Sequence, residues 1–348
     1  MRIAFIDAIN WDYTPLTPFE RPLGGSQSAA VYLSRELSAR GHAVTLFNNT
    51  SNPGVHAGIE CPGMIGGITA DRLNRFDVVV VLNSATGQHF RAAGVSVPLV
   101  LWSQHAPDQA AVKALAGPEE RVAWDGFFLV SQWQADAYPA AFGIPPERIT
   151  VLRNAVAPVF QTLERRNPPF FRTGAPPVLA YTSTPFRGLV ILLTAFPAIR
   201  AAVPGSRLRV YSSMGVYQVP DASDNYRILY DLARVLPGSE YPGSLPQTTL
   251  AQALAETDIL AYPNVFPETS CIAAMEAMAA GCLVVSSNLG ALPETTAGFG
   301  ILMDVSSDWV GMAREFANLV VAVVHKARET PDQFEDGIRR QQAHARAA

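Results

Sequence analysis

Two carboxylates eight residues apart, Glu268 and Glu276, are the side chains of this 348-residue sequence whose spacing most clearly suggests chemistry. They lie in P-N-V-F-P-E-T-S-C-I-A-A-M-E-A-M-A-A-G-C-L-V-V, residues 263–285. This stretch reads as a polar turn, an Ala/Met helix from about Ser270 to Ala280, a stop at Gly281 and a second apolar run. A helix apolar on nearly every side is enclosed. Glu276 is the only charged residue between Glu268 and Glu294, and a carboxylate stripped of water is costly unless something binds it. Its partner is either a ligand or a structural arginine. The helix N-terminus, with free N–H groups and the positive end of the dipole, suits phosphate. At ~1.5 Å per residue Glu276 falls roughly 9 Å down the axis from Ser270, about the reach from a pyrophosphate to the ribose of a nucleotide. Glu268, ahead of the helix, would lie on the far side of those phosphates, where a sugar would be; the alternative is a solvated loop residue.

Three further candidates stand at the ends of short apolar runs. His105 follows 98–102 in W-S-Q-H-A-P, Asn154 follows 149–152 in V-L-R-N-A-V, and Arg187 follows 178–181 in S-T-P-F-R-G. Parallel sheets bind ligands beyond the carboxyl ends of their strands, and a guanidinium there can hold a diphosphate through two parallel hydrogen bonds. An isolated histidine or arginine is also an ordinary structural or surface residue. Gly24-Gly25-Ser26 opens a helix after the aromatic and proline-rich loop from Asp7 to Leu23, long enough to suggest a functional loop. A glycine turn at a helix start lets a backbone approach a phosphate or sugar, although G-x-G-x-x-G is absent and a tight connection explains it equally.

Positioning these residues requires repeated strand and helix alternation, which implies parallel sheets covered on both faces. Strands are predicted at 3–6, 44–47, 77–82, 98–102, 127–130 and 149–152, and again at 178–181, 208–211 and 259–262. Helices are expected at about 189–202, 247–256 and 309–326, the last with Val310, Ala313, Ala317 and Val320 on its apolar stripe. Between the two series, Q-T-L-E-R-R-N-P-P-F-F-R-T-G-A-P-P lacks periodicity. The expected organisation is therefore an N-terminal domain over 1–160, a linker or hinge over 161–177, a C-terminal domain over 178–328 and a helical tail over 329–348. Two sheets of one class facing each other across a cleft would enclose a site between them.

A net charge of −4 argues against nucleic acid as the main partner. Three scattered cysteines, Cys61, Cys271 and Cys282, without C-x-x-C spacing, suggest a reduced, cytoplasmic protein. The opening apolar run is broken by Asp7, too short for a signal peptide, and no apolar stretch is of membrane-spanning length. Lysine occurs only at Lys113 and Lys326, which excludes a Walker-type loop and leaves little room for a Schiff-base cofactor. No D-x-D sequence occurs, so a metal-bridged diphosphate is not indicated and no cofactor is expected.

Over nearly the whole chain these residues resemble the retaining glycosyltransferases of GT-B fold, specifically glycosyltransferase family 4. Gly24-Gly25 and Gly41-His42-Ala43-Val44 are similar to the family's opening glycines and G-H-x-V turn, and Arg153 to Val156 to its N-G-V segment. Glu268 and Glu276 match its E-x7-E motif, followed by its A-M-A-x-G-x-x-V-V tail and, at Pro293-Glu294, its P-E helix start. The resemblance implies a GT-B architecture of two Rossmann-like domains, the first on the acceptor side and the second on the donor side. It implies transfer from a nucleotide diphosphate sugar to a glycan, lipid-linked sugar or small-molecule hydroxyl, with a diphosphate oxygen taking the acceptor proton. It assigns His105 to the donor sugar, Glu268 to sugar hydroxyls, Glu276 to the ribose, Arg187 to the diphosphate, and Gly25, Ser183, Thr269, Ser270, Cys271 and Ile272 to the donor's sugar and phosphates. The sequence departs from the pattern in three places. Arg187 takes the place of the family's lysine and Thr182 or Ser183 that of its arginine, Ser270-Cys271 replaces the common Phe-Gly, and a shortened C-terminus is expected. A nucleotide-sugar epimerase, a phosphorylase and a non-catalytic nucleotide-sugar sensor share the fold. Peripheral membrane association stays open, but an acidic chain without a basic amphipathic helix does not indicate it.

Overall fold

The computed structural model describes residues 1–64 and 67–347. Two compact units, Met1–Asn154 and Ala155–Ala348, each carry a sheet. The first holds β1 (Arg2–Asp7), β2 (Ala43–Phe47), β3 (Gly54–His56), β4 (Ile59–Cys61), β5 (Val78–Leu82), β6 (Leu99–Ser103), β7 (Gly126–Leu129) and β8 (Ile149–Val151). Their order is β3-β4-β2-β1-β5-β6-β7-β8. All neighbours are parallel except the β3–β4 edge pair, a hairpin that the hydrophobic pattern does not reveal because Val55 faces solvent. The inner strands are buried on both faces, one by the cluster around Trp124, Phe127 and Tyr138, the other by that around Phe5, Val31, Leu46 and Trp102. This is why they read as unbroken apolar runs.

The second unit holds β9 (Val178–Tyr181), β10 (Arg207–Val210), β11 (Ser239–Glu240), β12 (Ile259–Tyr262), β13 (Leu283–Ser287) and β14 (Ile301–Met303), in the order β11-β10-β9-β12-β13-β14. All its pairs are parallel. The chain runs outward one way from β9 and returns to build the other half from β12. The strands on either side of that reversal, β9 and β12, are paired with each other, so their carboxyl-end loops flank the switch point where such sheets bind ligands.

The stretch expected as a linker is fastened to the second unit. Phe170 and Phe171 are buried, Arg346 donates to the Leu163 carbonyl, and Arg165 donates to the Thr257 and Gly281 carbonyls while pairing with Asp258 at 2.5 Å. Asp258 in turn accepts from the backbone N–H groups of Phe170 and Val178. Charged and aromatic residues spaced without period make these contacts, so periodicity could not reveal them. The helix over Trp309–Glu329 buries Ala313, Ala317 and Val320 as expected, but Val310 in its first turn is 75% exposed and the buried stripe begins at Gly311 and Met312. The tail is one helix, Pro331–Ala347, whose Gln342 and Arg346 donate to the Ala279 carbonyl at the end of the Glu276 helix. Among the described residues no helix is long and apolar enough to cross a membrane.

Candidate functional site

The site of the second unit is built from two loops beside the switch point. After β9 the chain makes a single 3-10 turn, Pro185–Arg187, and enters the Leu189–Ala202 helix through Gly188 at φ 112°. A Cβ on Gly188 would collide with the Pro263 carbonyl, so only glycine lets the β9 loop touch the β12 loop here. The β12 loop is closed by Asn264, whose side chain accepts from the Phe266 N–H (3.0 Å) and donates to the Phe266 carbonyl (2.5 Å). Gly290, φ 61°, presses against the Glu268 backbone from the other side, where Ala291 N–H donates to the Glu268 carbonyl at 2.7 Å. The loop carrying Glu268 is thus held between two glycine contacts; Gly290 escaped the sequence reading, although its place before the P-E helix start was visible.

Glu268 is 4% exposed, which rules out a solvated loop residue. One of its oxygens, Oε1, receives both Arg187 Nη1 and the Tyr262 hydroxyl, each at 2.5 Å. Arg187 therefore does not stand apart as a bare cation for a diphosphate, since its charge is shared with the neighbouring acid. Its guanidinium lies 4.5 Å from the Phe266 ring centre and 5.5 Å from that of Phe186, and Nε is buried with no hydrogen-bond partner. Burial opposes the charge, but the Glu268 carboxylate beside it holds the Arg187 proton more tightly than usual. Spacing along the chain could not foresee this pair, because 81 residues separate the partners.

The helix expected from Ser270 begins at Ile272 and runs to Ala280, stopped by Gly281 in the left-handed region. Glu276 is therefore four residues past the first helical position, ~6 Å at 1.5 Å per residue. The N-cap Cys271 makes no side-chain capping bond; its own N–H points to Thr295 Oγ1 at 3.5 Å and the Ala274 N–H is taken by the Cys271 carbonyl at 3.1 Å, which leaves the Ile272 and Ala273 amides for a ligand. Burial, together with Glu268 nearby, pushes the Cys271 thiol far above its usual range, so it is not a nucleophile. Thr269 is buried, Ser270 and Ile272 half-buried, and Ser183 Oγ lies 3.3 Å from the Tyr262 hydroxyl. Ser183, Arg187, Glu268 and the helix start are thus brought together in one place.

Glu276 is buried, at 5% exposure, and no cation pairs with it among the described residues. Among the described residues its carboxyl accepts only from Gln247 Nε2, at the start of the Gln247–Leu254 helix. Burial raises its pKa from 4.5 to about 8, and the Gln247 bond offsets only part of that. The structural-arginine explanation of Glu276 thereby fails, leaving the carboxyl available to groups that are not part of the described chain. Gln247 was not among the sequence candidates; nothing in its local pattern points to Glu276.

In the first unit, His105 is half-buried just past β6, with Nδ1 against Gln109 and its carbonyl accepting from Gln134 and Tyr138 at 2.8 Å each. Asn154 donates to Gln104 at 3.1 Å, so the ends of β6 and β8 are joined. Asp7, overlooked as a site residue, is the buried polar centre here, accepting from Tyr13 (2.8 Å), Gln27 (3.0 Å) and the Ile9 N–H (3.2 Å). Burial raises its pKa despite these donors and the neighbouring His105. Gly25 is the exposed first residue of the Gly25–Ala39 helix, and at Gly24 a Cβ would lie 2.9 Å from the Trp11 ring, which accounts for that glycine by packing.

Residues 176–322 match the family described as "Glycosyl transferases group 1". A glycosyltransferase domain therefore occupies most of the second unit, including Arg187, Glu268 and Glu276. No curated protein matches the chain. Among solved structures, HepE from Anabaena with UDP is 17% identical, covering 99% of this chain and 94% of its own, with a TM-score of 0.67. The same protein with UDP-glucose is matched at 18% identity, over 99% and 94%, with a TM-score of 0.65. Sucrose-phosphate synthase from Thermosynechococcus elongatus is 14% identical over 99% and 94%, with a TM-score of 0.67. The fold is accordingly GT-B, with two parallel-sheet α/β domains.

Proposed function

We propose that the chain is a retaining glycosyltransferase of family 4 that moves a sugar from a nucleotide diphosphate sugar to an acceptor hydroxyl. The observation that carries this reading is Glu276: a buried carboxyl, held among the described residues by one glutamine and no cation, four residues into a helix whose N-cap makes no side-chain bond. Ribose hydroxyls satisfy such a carboxyl, and diphosphate oxygens satisfy the open amides before it. Both groups belong to the UDP and UDP-glucose present in the HepE structures.

On this reading Glu268 receives a donor hydroxyl, and the backbone of Ser270, Cys271 and Ile272 receives phosphate or sugar oxygens. Arg187, with the helix start, takes the charge of the leaving diphosphate. The Glu268–Arg187 pair lends itself to this role, since a diphosphate can share the guanidinium without moving it. No metal is needed for that step. Retention follows from attack on the leaving-group face, with a diphosphate oxygen taking the acceptor proton. From the first unit, His105 is the candidate contact to the donor sugar, and a glycan, lipid-linked sugar or small molecule is the acceptor.

A thermal-shift screen of UDP, ADP, GDP and their glucose derivatives tests the reading. A ligand at a hundred times its dissociation constant adds about 2.7 kcal/mol of apparent stability, and Glu276→Ala should abolish that gain. Stabilisation by none of them, or stabilisation retained in the variant, overturns it. Proton resonance of the product's anomeric centre then decides between retention and inversion.

A further inference from the structure

We infer that Tyr262 is a positioning residue that holds Glu268 so that one carboxylate oxygen, Oε2, is presented to a single hydroxyl of the donor sugar. The inference rests on the donor role proposed above for Glu268. Tyr262 ends β12 and is 1% exposed, with its ring set edge-on to Tyr181 at 5.7 Å. Tyr181 is itself fully buried, and its hydroxyl donates to the Thr184 carbonyl at 2.8 Å. The Tyr262 hydroxyl is thus carried on a strand end and wedged by a second immobile ring, and neither depends on the loop that bears Glu268.

Two charge-assisted donors, the Tyr262 hydroxyl and Arg187 Nη1, converge on Oε1 at 2.5 Å each. Among the described residues Oε2 accepts nothing, and it is the oxygen left for a ligand. One donor on an oxygen lets a carboxylate swivel about it; two from different directions fix the plane. Burial, with the carboxylate of Glu268 alongside, pushes the Tyr262 phenol well above its usual range, so it remains a donor at every working pH. Ser183 Oγ lies 3.3 Å from the same hydroxyl and, with the Tyr262 proton given to Glu268, is left to donate in that contact. A carboxylate with one oxygen spoken for reads one sugar hydroxyl rather than bracketing two.

The test is Tyr262→Phe, which removes one oxygen from a packed ring and keeps the shape. Hydrolysis of UDP-glucose without acceptor should fall roughly tenfold to a hundredfold in kcat, the size of effect a misplaced contact group produces. The dissociation constant for UDP, which makes no use of Glu268, should stay within about twofold, a split that a general loss of structure would not give. A crystal structure of the variant should show the Glu268 carboxylate rotated about Arg187. Unchanged kcat, equal losses for UDP and turnover, or an unmoved carboxylate each overturn the inference. Failure of the wild-type protein to bind UDP, ADP or GDP, or to hydrolyse any of their glucose derivatives, counts against the donor reading instead, and the crystal structure still decides whether Tyr262 sets the carboxylate.

Discussion

Replacing Glu276 by Gln should change how stability depends on pH. The carboxyl has a pKa of about 8 in the folded protein and about 4.5 when the chain is unfolded, because burial disfavours its charge. Between those values the native state keeps a proton that the unfolded state has released, so stability falls as pH rises. The contribution is fully present below pH 4.5 and lost above about 8. At about 1.4 kcal/mol per pH unit, the whole window amounts to about 5 kcal/mol. Glutamine has the same shape, still accepts from Gln247 and cannot ionise. Urea unfolding followed by circular dichroism at pH 5, 6.5 and 8 should therefore give wild-type protein a stability that declines across the series. In Glu276→Gln the decline should be smaller by several kcal/mol, and the variant should be the more stable protein at pH 8. Parallel curves for the two proteins, or a variant less stable at pH 8, would refute the claim that Glu276 is buried without a compensating charge.

Arg187→Met should cost about 3–5 kcal/mol, because it leaves Glu268 buried and unpaired, and adding Glu268→Gln should recover much of the loss. A single-variant cost below ~1 kcal/mol in the same unfolding assay would show that the pair is more solvated than its burial indicates. Gly290→Ala should destabilise the protein by roughly 1–3 kcal/mol, since the residue has positive φ and the added carbon meets the Glu268 backbone. Donor turnover should fall with it; normal turnover would mean that the Glu268 loop tolerates displacement.

Much of the architecture was legible in the sequence because it depends on local rules. Strands buried on both faces must be unbroken apolar runs, and 178–181 and 259–262 come out at the expected residues, as does the 189–202 helix. The same rules missed β3, β4, β11 and β14, which are two or three residues long; β3, β11 and β14 lie at sheet edges and β4 pairs with the edge strand β3. Glu276 was recognisable as a buried acid because its helix is apolar all round, a property of the segment alone. Its solitude was not recognisable, for whether an arginine reaches it depends on packing. What tertiary structure alone decided was which distant groups meet: Arg187 with Glu268 across 81 residues, Gln247 with Glu276 across 29, Tyr262 turned onto Oε1, and Gly290 set against a loop it does not adjoin. Chain order determines which strands and helices form, since backbone hydrogen bonding and burial act over a few residues. The partners of a buried charge are determined by which strand ends the sheet order places side by side.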